Sequence, residues 1–201
     1  MAVLFTAWGY EVTLLESAAV IAAIIAIGLG IIGTRWTWPW YFLSGALYAW
    51  LFVSFDLYAS ALLQLVFVAA AVWGWFTWGA EGVRSPAVLT NRQRLVLAGA
   101  AALVWVVTAP VLQAVGGAAT WPDSFLLVGS LVAQVLMVRE YVEAWPAWIV
   151  VNIVGVLHYA NQGLWFTSLL YLVLIGMAVA GWRAWSGRRA QVLARAEPVA
   201  A

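Results

Sequence analysis

The 201 residues include no cysteine and no lysine, a single histidine, and only 8% charged side chains. Without cysteine there are neither disulfides nor thiolate metal sites. One histidine, His158, cannot form a histidine cluster, so a zinc or haem centre lacks ligands and no cofactor is expected. Without lysine there is no Schiff base for a retinal-type receptor and no phosphate-cradling Gly-Lys-Ser/Thr sequence, which argues against direct ATP coupling. No nucleophile stands beside a base in a Ser-His-Asp pattern, so the chain is not expected to be an enzyme. A seven-helix receptor or a membrane enzyme is kept only as a remote alternative, and no nucleic-acid partner is expected.

What is present is apolar. Hydrophobic residues make up 66% of the chain, with fifteen tryptophans, more than a soluble monomer could shield from water, so the chain reads as an integral membrane protein surrounded by lipid. Its apolar runs are long rather than alternating in ten-residue segments, which selects a helical bundle over a barrel. Seven spans are predicted near residues 14–33, 39–55, 57–78, 94–114, 122–138, 144–160 and 164–185. Residues 1–10 carry no basic region and no Ala-x-Ala site closes a short apolar run, so a retained N-terminus is expected.

All nine basic residues are arginines, and they fall in alternate loops: Arg35 after span one, Arg84, Arg92 and Arg94 around the third connection, Arg139 after span five, and Arg183, Arg188, Arg189 and Arg195 at the end. The positive-inside rule then predicts an external N-terminus and a cytoplasmic C-terminus, which needs an odd number of spans. Residues 79–93, the most polar stretch, are the expected cytoplasmic linker.

An offset of 107 positions carries Trp38-Pro39 onto Trp145-Pro146, Leu57 onto Leu164, Leu62-Leu63 onto Leu169-Leu170, and the box Gly74-Trp75-x-x-Trp78 onto Gly181-Trp182-x-x-Trp185. Further upstream, Glu16-Ser17 falls on Asp123-Ser124. The expected domain is a single transmembrane transporter domain over residues 1–201. It comprises repeat one at about 14–78, a linker helix at about 94–114, repeat two at about 122–185, and a short cytoplasmic tail over 186–201. One odd linker helix restores the orientation of the second half. The fold class is thus all-α with 3+1+3 parallel repeats, a SWEET-like architecture of a kind that commonly serves transport.

The segments TWPWYFLSGALYAWLF, DLYASALLQLVFVAAAVWGWFTW, AQVLMVREYVEAWPAWIVVNIVG and LWFTSLLYLVLIGMAVAGWRAW resemble the PnuC-type vitamin transporters. The resemblance covers about residues 14–185 except span four and its flanking loops. Departures are Phe42 and Leu43, where a Gly is expected after the Trp-Pro box, and the Asn161-Gln162-Gly163 turn. The resemblance implies a homotrimeric facilitator of the bacterial cytoplasmic membrane that takes up nicotinamide riboside. It also implies uptake drawn by phosphorylation in the cell, hence a functional link to a vitamin kinase. Thiamine or riboflavin is the alternative substrate within the same family.

A nucleoside of this kind needs hydrogen-bonding partners for its ribose and carboxamide, and aromatic faces for a cationic ring. The candidate binding residues are Asn152 near the centre of span six, Gln64 in span three, Gln134 in span five, and Ser44 and Tyr48 one turn apart in span two. Trp145 and Trp148 at the start of span six, and Tyr159 and Tyr171, are candidate lining residues. Asn152 aligns with Gly45 and Gln64 with Tyr171 across the repeat. Such mismatches suit an asymmetric ligand, whereas amides that only join helices contribute about 0.6 kcal/mol each. Trp75, Trp78, Trp182 and Trp185 read as a membrane-interface belt. Glu16 and Asp123 read as helix-start carboxylates favoured by the helix dipole, and His158 as a satisfied residue at a helix interface.

Overall fold

The computed structural model describes residues 3–7, 10–54, 58–83, 85–114, 120–163 and 165–196. Asp56, Leu57, Arg84 and Leu164 lie outside them, and with Leu57 and Leu164 one of the repeat matches. The chain divides into two compact units, Met1–Arg84 and Ser85–Ala201, parting inside the linker read from the sequence.

The first unit opens with an antiparallel hairpin, β1 (Val3–Ala7) and β2 (Tyr10–Thr13), paired from Val3 with Thr13 to Ala7 with Tyr10. Its β-branched and aromatic residues suit a pleated ribbon, and the sequence reading had left it out. Three helices follow: α1 (Leu14–Ile31), α2 (Thr37–Ser54) and α3 (Tyr58–Thr77). Thr13 ends the hairpin and starts α1, its Oγ1 accepting the Glu16 N–H at 3.2 Å, so one freed donor of the first turn is satisfied. Glu16 therefore stands in the first turn of α1, where the dipole favours a carboxylate.

Small residues set the spacing of α1 and α2. Ala19, Ala22, Ala26 and Gly30 form the buried face of α1. This seam lets α2 approach until the Thr37 hydroxyl donates to the Ala26 carbonyl at 2.6 Å and the Ser44 hydroxyl to the Ala19 carbonyl at 2.9 Å. Donors and acceptors are each a heptad apart, so two turns of helix are joined in register. Between α2 and α3 the contact is aromatic. The Trp38 ring lies where Gly74 would carry a Cβ, and it meets Trp78 edge-on at 4.9 Å between centroids.

The second unit holds α4 (Asn91–Ala114), α5 (Thr120–Val138), α6 (Ala144–Asn161) and α7 (Trp165–Ala196). Its α6–α7 pair reproduces the aromatic contact: Trp145 occupies the Cβ space of Gly181 and meets Trp185 edge-on at 5.5 Å. Trp38, Trp78, Trp145 and Trp185 are all essentially inaccessible. This corrects the interface-belt reading for Trp78 and Trp185, which are core residues. Trp182 does face outward, while Trp75 holds the Arg35 guanidinium over its ring at 3.7 Å.

The seven helices among the described residues fall on the seven predicted spans. Four of them, Leu14–Ile31, Asn91–Val111, Trp121–Val138 and Thr167–Arg195, are long and apolar enough to cross a membrane, and Ala61–Thr77 is a shorter apolar helix. Two boundaries moved. α4 begins at Asn91 because Thr90 and Gln93 form a reciprocal cap: Thr90 Oγ1 accepts the Gln93 N–H at 3.3 Å and Gln93 Oε1 accepts the Thr90 N–H at 2.8 Å. α7 continues to Ala196, so most of the expected 186–201 tail is helix; its arginines end the apolar run without ending the helix.

The glycine contacts give a direct test. Gly74→Ala and Gly181→Ala each place a methyl inside an indole ring and should each cost about 1–3 kcal/mol of stability. Gly176→Ala, on α7 with nothing near its added Cβ, should stay within about 1 kcal/mol of the parent. Thermal unfolding in detergent decides, and an equal loss for Gly176→Ala would remove the packing explanation.

Candidate functional site

The polar candidates of the second unit lie on its most closely packed helices. On α6, Trp145, Trp148, Asn152 and Tyr159 recur at helical spacing along one stripe. The end of this stripe meets α7, where the Tyr171 ring fills the space a side chain at Gly155 would need and lies 5.1 Å from the Tyr159 ring. The other flank of α6 meets α5, where Gly129 admits Val151 to within 2.7 Å of a notional Cβ. α5 also carries Gln134.

Asn152 is 4% exposed and Gln134 is 5% exposed. Neither side-chain amide makes a hydrogen bond to another described residue. Contrast Ser168, whose hydroxyl donates to the Val156 carbonyl at 3.0 Å. The indole N–H of Trp145 is buried without an acceptor, as is that of Trp38 in the first unit. Trp145 is inaccessible and packed against Gly181 and Trp185, which makes its ring a packing element. Trp148 is half-buried.

In the first unit, Gly45 draws α3 close, with Val68 2.9 Å from its notional Cβ and the Gln64 carbonyl at 3.5 Å. Gln64 itself is half-buried. Ser44 has its proton committed to Ala19, so its observed role is joining α2 to α1. Tyr48 stacks on Phe52 at 5.7 Å and 24°. Across the repeat the bulky ring changes helix: Tyr48 on α2 corresponds to Gly155 on α6, and Gln64 on α3 corresponds to Tyr171 on α7. The twin packing boxes are therefore matched while the polar positions between them are not.

His158 is buried and has a partner that the sequence did not name. Its Nε2 lies 3.0 Å from Asp123 Oδ1 and 2.8 Å from the Gln162 amide, joining the start of α5 to the end of α6. The separation of 35 residues hid the pair from the sequence reading. Asp123 lies in the first turn of α5.

At the opposite end of the unit the linker is fastened. Ala87 pairs with Tyr141 through Ala87 N–H to Glu140 O and Val142 N–H to Ala87 O, both 2.9 Å. Glu143 Oε1 accepts from Leu89 N–H at 3.1 Å and from Arg94 Nη2 at 2.7 Å. Arg189 Nη1 donates to Pro86 O at 3.1 Å. Glu140 adopts φ 59°, and burial pushes its carboxyl above the usual range.

Residues 13–187 match the family described as nicotinamide mononucleotide transporter. The chain is 30% identical to the nicotinamide riboside transporter PnuC of Escherichia coli K12, the match covering 89% of this chain and 87% of that protein. It is 35% identical to the riboflavin/roseoflavin transporter RibM of Streptomyces davaonensis, covering 82% and 81%. Among solved structures, the crystal structure of the vitamin B3 transporter PnuC superposes with a TM-score of 0.73 at 28% identity, covering 88% of this chain and 82% of that one.

If the buried amides serve a ligand rather than the fold, Asn152→Leu and Gln134→Leu should unfold at or above the parent temperature in the absence of ligand. A fall of more than about 1 kcal/mol in stability would return them to a helix-joining role.

Proposed function

Since the chain belongs to the nicotinamide mononucleotide transporter family, we propose that it takes up nicotinamide riboside across the bacterial cytoplasmic membrane. The observation that carries this reading is the pair of largely buried amides, Asn152 on α6 and Gln134 on α5, together with the Tyr159–Tyr171 ring contact between α6 and α7. The amides supply hydrogen bonds to a carboxamide or ribose, and tyrosine faces attract a pyridinium cation by about 0.5–2 kcal/mol. Within the first unit, the half-buried Gln64 on α3 is assigned as a substrate-binding residue. Trp148 offers a further ring, while Tyr48, Ser44 and Trp145 contribute through the packing already described.

The mode of transport follows from the ionisable groups. Among the described residues the acids occur in the hairpin, at helix starts, in the turn after α3 and in the linker clasp, which supports transport without a proton relay. Transport is facilitated diffusion, with net uptake drawn by a cytoplasmic kinase that phosphorylates the vitamin. The repeated Trp-on-Gly contacts support a duplicated 3+1+3 origin, with α4 as the linker helix of one transporter domain, and the functional unit is a homotrimer. The arginine distribution supports an external N-terminus and a cytoplasmic C-terminus.

Riboflavin is the second reading, favoured by the 35% identity to RibM. Thiamine is included in the same test. Binding of purified protein to nicotinamide riboside, riboflavin and thiamine in parallel separates the readings, and preference for riboflavin would displace the first. Asn152→Leu and Gln64→Leu should each weaken nicotinamide riboside binding by roughly three- to a hundred-fold, from about 0.5 to 3 kcal/mol of lost hydrogen bonding. Unchanged affinity in both would remove the proposed site. Uptake into vesicles should equilibrate without ATP or a proton gradient, and accumulation of unmodified vitamin would contradict diffusion. Because the chain has no native cysteine, Asn161→Cys gives a clean topology reading: an impermeant reagent should label it on intact cells. Labelling only after lysis would reverse the orientation.

A further inference from the structure

At the end of the second unit away from the linker, three polar side chains meet at one atom. His158 Nε2 lies 3.0 Å from Asp123 Oδ1 on α5 and 2.8 Å from the side-chain amide of Gln162, one turn further along at the cap of α6. His158 is buried, while the Asp123 side chain is 48% exposed and gives the pair contact with solvent. The two groups stand at helix ends that suit opposite charges, Asp123 in the first turn of α5 and His158 in the last turn of α6. The ionisable groups around them are few. Asp123 is the one titratable residue of α5. α7 brings Tyr171, while its arginines begin at Arg183 toward the opposite end. α6 itself adds Tyr159, whose ring lies 5.1 Å from the His158 ring, and α4, packed on α5, carries its two arginines at the linker end.

One imidazole nitrogen cannot serve both neighbours in the same way. To accept from the Gln162 amide, Nε2 must present its lone pair, and that lone pair then faces the Asp123 carboxylate, which repels it. A neutral ring has a single N–H and can leave Nε2 bare. A protonated ring donates at both nitrogens, so Nε2–H points to Asp123 and Gln162 turns its amide oxygen toward the ring instead. We infer that His158 and Asp123 form a proton-dependent clasp over the ligand site of the second unit: charged His158 draws α5 onto α6 and closes that end, and neutral His158 lets them part. Histidine is the side chain that ordinarily changes charge between pH 5 and 8. The clasp therefore answers to the pH of the compartment it faces, the outside in the orientation proposed above. The proton governs access and is not carried with the vitamin.

Position supports the assignment. Asn152 lies about 9 Å from His158 along the axis of α6, at 1.5 Å per residue, and Tyr159 follows His158 directly with its ring against Tyr171. Ser168 donates to Val156 O at the same end, which holds α6 and α7 together, so the parting falls between α5 and that pair. The clasp also belongs to one half only. Glu16 is equivalent to Asp123 across the repeat, but the position of His158 is taken by Leu51, a buried apolar residue.

The inference rests on α5, α6 and α7 holding the ligand, and its test keeps the two readings apart. Intact cells carrying the full chain are held at about pH 8 or about pH 5.5, on either side of the ordinary histidine range. Without vitamin, the rate at which an impermeant thiol reagent modifies Asn152→Cys is divided by the rate for Asn161→Cys, at the exposed end of α6, which cancels the ionisation of the thiol. Acidification should lower this ratio about threefold or more, the scale of a partly exposed ion pair. His158→Gln, which keeps a hydrogen-bonding group without the charge, should make the ratio independent of pH. Asp123→Asn should do the same from a half-exposed position should His158→Gln not fold, and Asp123→Glu should keep most of the response.

A ratio that rises on acidification, or one that falls equally in His158→Gln and Asp123→Asn, would overturn the clasp. Lower thermal stability of both variants, with a ratio in the parent that ignores pH, would make His158 a structural joint and nothing more. Modification of Asn161→Cys only after lysis would overturn the external setting of the clasp. Purified protein that fails to bind the vitamin while the ratio still answers to pH would strike the vitamin reading and leave the clasp in place.

Discussion

An indole ring laid on a glycine of the neighbouring helix joins one helix pair in each unit of this protein. Trp38 on Gly74 joins α2 to α3, and Trp145 on Gly181 joins α6 to α7. Between membrane helices the hydrophobic effect gives little preference for protein over lipid, so close packing has to supply the attraction. A ring against bare backbone supplies much of it, since it removes the separation that side chains would impose. Each contact is completed by a second tryptophan met edge-on, Trp78 or Trp185. The rest of each unit can then carry polar groups that packing alone would not tolerate.

Those polar groups divide into two kinds. Thr37, Ser44 and Ser168 donate to carbonyls of neighbouring helices, so their burial is compensated within the protein. Asn152 and Gln134 are as deeply buried, yet their amides have no such partners among the described residues. The duplication sharpens the contrast, because packing residues are matched across it and the amides are not. An asymmetric small molecule is recognised by differences laid on a common framework, and this chain supplies them where Gly45 faces Asn152 and Gln64 faces Tyr171 in the alignment of its halves.

Helix positions were legible in the sequence because hydrocarbon imposes one requirement, a long apolar run, on every span. Where another force sets the boundary, reading failed. The cap at Thr90 and Gln93 starts α4 before its apolar run, and α7 outlasts its own because arginine is a good helix former. The hairpin before α1 was missed for want of alternation. Trp78 and Trp185 were assigned to an interface because tryptophan near a helix end usually belongs there. The repeat already held the contrary signal, since each follows a glycine by four positions and is twinned with a Trp-Pro box at one common offset. Candidate site residues were legible as polar exceptions in apolar spans. What sequence could not show was which exceptions had partners: Ser44 and Asn152 look alike until Ala19 is seen opposite one of them.

The two hydroxyl bonds between α1 and α2 have no counterpart in the other half, where Ala144 and Val151 stand at the positions of Thr37 and Ser44. A helix pair pegged at two points a heptad apart resists sliding along its length, because both bonds must break before either helix advances. Between α5 and α6, Val151 packs on Gly129, and a polar tie among the described residues, His158 with Asp123, lies at one end. The two hydroxyl pegs therefore stiffen α1 and α2 at levels where α5 and α6, the helices that carry Gln134 and Asn152, have no matching hydroxyls.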